Sequence, residues 1–114
     1  MSGTFEGGFD LVAVKTVNFR ERFKEPMLAG VKTCTSRSYP VASVGDKFFR
    51  WGRWFTVTAV EQWKLGQVKE LKWREEGCNS PEEFQQIWSE IHYIKGFVPS
   101  QLVYLHTFKL EPLK

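Results

Sequence analysis

The chain has 114 residues, of which 42% are hydrophobic and 25% charged, and a net charge of +3. That is one domain's worth of globular sequence, which excludes a disordered polar chain and a cofactor domain joined to a separate substrate domain. No run approaches the roughly 18 apolar residues that a membrane-spanning helix needs, so no membrane partner is expected.

Residues 1–8 (MSGTFEGG) are polar and Gly-rich and lack the charged-then-apolar layout of a secretion signal. They are expected to form a flexible tail, with residues 9–114 as a single domain and a cytoplasmic location by default. Phe9–Val17 (FDLVAVKTV) is β-branched and apolar and predicts a strand. Asn18 has the chemistry of a helix cap, and Phe19, Phe23 and Met27 recur at four-residue spacing on one helical face. Pro26 lacks an amide donor and predicts a kink or a new turn; Gly30 suits the left-handed stop that ends a helix.

Lys32–Arg37 (KTCTSR) reads as a short strand and 38–43 as a loop containing Pro40. Val44-Gly45-Asp46 reads as a turn into a strand over 47–51. Gly52-Arg53 is a tight turn, and 54–62 (WFTVTAVEQ) returns to complete a hairpin. Beyond Gly66 the period changes to helical, with Val68, Leu71 and Glu75 in phase and Gly77 as the stop. Ser80-Pro81-Glu82-Glu83 is the strongest local signal: Ser80 caps, Pro81 fits the first helical position and Glu83 closes a capping box. Phe84, Ile87, Trp88 and Ile91 then form an apolar stripe on a helix predicted over 81–93. The alternating segment 101–110 (QLVYLHTFKL) predicts a last strand, with the first and last strands as neighbours. This order predicts an α+β fold with a curved sheet or small barrel.

Charge is uneven along the chain. Nine basic and three acidic residues lie between Lys15 and Arg53, against four basic and seven acidic ones between Glu61 and Glu90. A polyanion-binding face and an ordinary solvated surface both fit this asymmetry. Cys34 and Cys78 are far apart and neither belongs to a CxxC pair. With His92 and His106 as the only histidines, the sequence argues for free thiols and against a zinc site or other cofactor.

The candidate chemistry follows Gly30. Strand alternation puts Thr33, Thr35 and Arg37 on one face, while Lys32 sits at the turn with its direction unfixed. Each of these groups, if buried without a partner, costs about 1–3 kcal/mol. A donor-lined cleft removes that cost; so does an exposed edge strand. Trp51, set between Arg50 and Arg53 near the hairpin tip, is open to two readings, a stacking platform for bases and a core residue. Trp54 and Phe55 alternate into the core, and Trp63, Trp73, Trp88 and His106 are read as structural.

The runs Phe19-Arg20-Glu21-Arg22-Phe23 and Met27-Leu28-Ala29-Gly30-Val31-Lys32-Thr33-Cys34-Thr35-Ser36-Arg37 resemble the signature of ASCH domains, a helix ending at a small-residue-Gly turn before a Lys-Thr-x-Thr-x-Arg strand. Val44-Gly45-Asp46 is similar to the family's Gly-Asp turn. Ser80-Pro81-Glu82-Glu83-Phe84 and the last strand fall where the family has a helix and a closing strand. The resemblance covers residues 9–110 and implies a PUA-like β-barrel with a basic cleft that binds RNA or a modified nucleoside. Lys32, Thr33, Arg37, Arg50, Trp51 and Arg53 are the binding candidates.

One small bacterial branch of the family hydrolyses the acetyl amide of N4-acetylcytidine with a lysine, a threonine and a glutamate. By resemblance these match Lys32, Thr35 and Glu76, with Glu75 as a near competitor for the carboxylate. The chain departs from that branch at Ser36, where the branch has an apolar residue, and at Ser38-Tyr39, where it has an acidic one. Other ASCH proteins are linked to RNA cleavage, but no histidine pair is placed here for a metal-free ribonuclease.

Overall fold

The computed structural model describes residues 13–113. The expected tail 1–8, and residues 9–12 of the expected first strand, lie outside them. The remainder of that strand is not a regular one: within it only Val14 bridges, in parallel, to Lys47.

The helix expected from Asn18 begins later. Arg20 precedes a single 3-10 turn, Glu21–Phe23, which runs into α1 (Lys24–Leu28). Pro26 is the third residue of α1, where no amide partner is needed, so the missing N–H interrupts no helical hydrogen bond. Four strands follow: β1 (Cys34–Arg37), β2 (Lys47–Arg50), β3 (Arg53–Lys64) and β4 (Leu102–Leu110). Between β3 and β4 lie α2 (Leu65–Leu71) and α3 (Pro81–Ile91).

The strands form one antiparallel sheet in the order β1-β4-β3-β2, curled into a half-barrel. The last strand is therefore central. Its neighbours are β1 and β3; among the described residues of the segment before Asn18, which the sequence suggested as a neighbour, Val14 bridges to Lys47 instead. A bulge between Val57 and Ala59 breaks the β3–β4 register, the device that bends a long strand. The β2–β3 hairpin turns on Trp51 (φ 52°) and Gly52 (φ 75°), one residue earlier than expected, with the two left-handed residues that match strand twist in a tight hairpin.

The core is aromatic. Phe48 stacks on Phe55 with ring centres 4.9 Å apart, and Phe108 meets both edge-on. Met27, Phe55, Leu65, Val68, Val103 and Leu105 are fully buried beside them. Trp54 is a correction: strand alternation drives Phe55 inward and leaves Trp54 exposed against Phe49.

α3 starts as its sequence demands, with Ser80 Oγ accepting the Glu83 amide at 3.0 Å. The Glu83 carboxylate accepts from Asn79 N, one residue before the position a capping box would use. The helix stops at Ile91 rather than Tyr93, and Ile91 leaves the buried stripe of Phe84, Ile87 and Trp88. α2 also ends early, at Leu71, and the chain reaches Gly77 through turns.

Candidate functional site

Two glycine-ended turns deliver the two charges of the site. After α1, Val31 N donates to Pro26 O (2.8 Å) and Gly30 N to Met27 O (3.2 Å), the paired bonds of a Schellman stop with Gly30 at φ 75°. The turn that follows α2 closes in the same way. Cys78 N donates to Trp73 O (3.0 Å) and Gly77 N to Arg74 O (2.9 Å), with Gly77 at φ 88°. The first stop turns the chain toward Lys32 and the second presents Glu76. The backbone joins them, because Glu75 O accepts both Thr33 N (2.8 Å) and Cys34 N (3.1 Å).

Lys32 is only 3% exposed and Glu76 5%. Lys32 Nζ donates to Cys34 O (2.8 Å) and Glu76 O (2.6 Å) and lies 3.4 Å from Glu76 Oε1. Three acceptors match the three N–H bonds of an ammonium. The nitrogen also sits 4.4 Å from the centre of the Phe23 ring. A Cβ on Gly77 would lie 2.9 Å from Lys32 Cβ, so the glycine lets the lysine stem pass.

The other Glu76 oxygen, Oε2, accepts from Ser36 Oγ at 2.6 Å. Thr35 Oγ1 accepts from Arg37 Nε (3.1 Å), and Arg37 Nη2 donates to Asn18 O (2.7 Å). The Arg37 guanidinium lies 5.1 Å from the Phe19 ring centre, on a residue that also packs into the aromatic core. Burial lowers Arg37 from its ordinary pKa, and the field of Glu76 acts in the opposite sense.

These groups floor a cleft of about 580 Å³ between β1 and α3. Phe19, Phe23, Phe84, Ile87 and Trp88 wall it, and exposed Tyr39, Ile91 and Tyr93 stand at its mouth. Trp88 is buried with its Nε1 unpaired among the described residues, and its ring stacks on His92 at 3.9 Å. Cys78 also lines the cleft. Burial, reinforced by Glu76, pushes its thiol up to about 11, and Cys34 is pushed up further for the same reasons. Both cysteines are free.

His106 lies behind β1. Its Nε2 accepts from Val41 N (3.1 Å), so Nδ1 carries the hydrogen and donates to Tyr104 O (3.0 Å). Burial lowers its pKa, and the nearby Arg37 charge adds to the effect. It therefore ties down the 38–43 loop as a neutral imidazole.

Of the residues singled out in the sequence, Lys32, Thr35, Arg37 and Glu76 line this one cleft. Lys32 and Thr35 are not hydrogen-bonded to each other. Glu75 contributes its carbonyl while its side chain stays outside. Thr33 does not share the cleft with Thr35: it lines a smaller hollow by Met27 and Phe108, because its backbone belongs to the Glu75 clamp just before β1 begins.

The basic rim expected at the hairpin is not part of the cleft either. Arg50 donates to Phe19 O and lies over Trp51, which packs against Phe19; Arg53 donates to Glu111 O. Ser36 is a site residue that the sequence reading does not single out for binding; the signal available is that a hydroxyl in a buried strand needs a partner, here Glu76. Trp88 and His92 carried no sequence signal beyond the apolar stripe. Among the described residues no His, Cys, Asp and Glu group could hold a metal ion, and no helix is long and apolar enough to cross a membrane.

No family model matches the sequence, and no curated protein matches it. Solved structures do share the architecture. An ASCH domain from Lactobacillus crispatus JV V101 aligns over 87% of this chain and 79% of its own, with TM-score 0.60 and 17% identity. A DUF984 protein from Enterococcus faecalis V583 aligns over 79% and 67%, with TM-score 0.57 and 18% identity. The hypothetical protein PH0355 aligns over 88% and 98%, with TM-score 0.56 and 18% identity.

Proposed function

We propose that this chain, which has the ASCH/PUA-like fold, binds a nucleoside-sized ligand in the cleft between β1 and α3, either free or as one unit of an RNA. The observation that carries the reading is the cleft itself: about 580 Å³, with aromatic walls over a hydrogen-bonded floor of Lys32, Thr35, Ser36, Arg37 and Glu76. That volume suits a small organic ligand, and such sites pair apolar walls with a few fixed polar groups. A planar base gains from aromatic walls, and its edge needs both donors and acceptors. Thr35 can meet both needs: its hydroxyl keeps its hydrogen because its oxygen accepts from Arg37, and that oxygen has a further lone pair.

An extended RNA groove has less support. Arg50 and Arg53 already serve backbone carbonyls and stand away from the cleft. The test is a titration with the four common nucleosides, N4-acetylcytidine, their 5′-monophosphates and a short RNA, followed by tryptophan emission, since Trp88 lines the cleft. Saturable quenching by at least one of them is expected. No saturable response to any of them would sink the reading.

A second reading, an amidohydrolase acting on N4-acetylcytidine, is favoured by one contact. Lys32 Nζ lies 3.4 Å from Glu76 Oε1, in the cleft that also holds the Thr35 hydroxyl. In that reaction Thr35 Oγ bonds to the acetyl carbon and the C–N bond breaks. Glu76 takes the hydroxyl proton as that bond forms and passes it to the departing amine; water then cleaves the acetyl-threonine ester, which frees acetate and restores the hydroxyl. Thr35→Ala should lower turnover by about 10²–10⁴-fold, read from cytidine release by absorbance; unchanged turnover removes Thr35 as nucleophile.

A further inference from the structure

We infer that the ligand of this cleft carries one anionic group, as a nucleoside 5′-monophosphate does, and that Arg37 receives its phosphate; this rests on the nucleoside reading above. Three cations line the cleft: Arg20, Lys32 and Arg37. Two of them are matched by carboxylates, Arg20 by Glu90 at 3.2 Å and Lys32 by Glu76 at 3.4 Å. Arg37 has no carboxylate within 4.0 Å among the described residues. The cleft therefore holds one unmatched positive charge, and that charge is not loose.

Nε is fixed on Thr35, Nη2 on the Asn18 carbonyl, and the plane lies against Phe19. Among the described residues these bonds leave Nη1 without an acceptor. A guanidinium oriented in advance loses little freedom when it takes a phosphate oxygen, and it stays charged at any working pH. Its partial burial also makes an anion more valuable there than at an open surface.

The rest of the basic segment does not compete for the phosphate. Lys15 pairs with Asp46, Arg22 with Glu83 and Lys47 with Glu111, Arg50 and Arg53 hold carbonyls, and Lys24 does not line the cleft. The nine-to-three excess of bases that suggests a polyanion face thus contributes one open site in the cleft rather than a track of phosphates.

The experiment is calorimetric titration of the wild-type chain and of Arg37→Gln with each nucleoside, its 5′-monophosphate and inorganic phosphate. The wild type is expected to bind at least one monophosphate about 10-fold or more tightly than its own nucleoside. In Arg37→Gln the ratio of monophosphate to nucleoside affinity should fall below about 3-fold. Because Arg37 also bonds Asn18 and Thr35, circular dichroism checks that the variant is folded. The wild-type ratio and its salt dependence stand without it. The salt slope should correspond to about one phosphate, and a short RNA should gain no more than a mononucleotide. Equal binding of nucleoside and monophosphate, or a slope of several phosphates, overturns this inference and leaves the nucleoside reading intact. Binding of neither member of any pair overturns both.

Discussion

Lys32 and Glu76 form a buried ion pair in which nearly every proton and lone pair has a neighbour. Such a pair adds little net stability when complete, but breaking it leaves an uncompensated charge inside the protein. Lys32→Met should therefore cost about 3 kcal/mol or more in urea unfolding. Adding Glu76→Gln to that variant should return part of the loss, giving a double-mutant cycle far from additive. Gly77→Ala combines a left-handed backbone with a clash against the Lys32 stem, and about 2 kcal/mol or more of destabilisation is expected from the same assay.

His106 gives the molecule a pH dependence of definite sign. Its folded pKa lies below the ordinary value of 6.5 because the ring is buried as a neutral acceptor for Val41 N. In that window the unfolded chain binds the proton more readily. The stability is present in full above the unfolded pKa and is lost as pH falls through the folded one. The urea midpoint should drop between about pH 7.5 and about pH 5, and His106→Gln should flatten that limb.

At the scale of elements, each piece is secured by local chemistry. Ser80 caps α3 by accepting the Glu83 amide, and Ser80→Ala should cost about 1 kcal/mol by thermal unfolding. This is also the scale at which the sequence was most readable. Gly30, Gly45 and the Ser80-Pro81 start are written in residues whose backbone preferences are strong, whereas the hairpin turn falls one residue early because Trp51 takes a left-handed position that its residue type does not favour.

What was not readable depended on distant contacts. The central place of β4 follows from pairing with β1 and β3, which no local pattern encodes. α2 ends at Leu71 because the chain must tighten into the Gly77 stop that presents Glu76, although Glu75 still falls in helical phase. The run around Lys32 marked the floor of the cleft. Its walls were hidden, since an apolar stripe on α3 looks the same whether it fills a core or faces a hollow. Ser36 was hidden because its partner lies 40 residues away.

For the molecule as a whole, stability concentrates where β4 runs between its two neighbours. Val103 and Leu105 are fully buried there, beneath the aromatic cluster of Phe48, Phe55 and Phe108. Hydrogen exchange followed by NMR should find the slowest amides in β4 and the facing part of β3. The 38–43 loop, held to the sheet largely through His106 and Ser38, should exchange far sooner. The uneven charge of the sequence also looks different in three dimensions. Basic residues of the first half reach acidic residues of the second, as in Arg20–Glu90, Arg22–Glu83 and Lys32–Glu76, so much of the excess is matched between the halves, with Arg37 left over in the cleft.

The single carbonyl oxygen of Glu75, shared by the amides of Thr33 and Cys34, gives this arrangement an unusual freedom. It rivets two distant stretches of main chain without consulting any side chain. Outside the Lys32–Glu76 pair, which ties the same stretches through side chains, groups mounted on either one can be exchanged to alter what the hollow does while the spacing between mounts stays put.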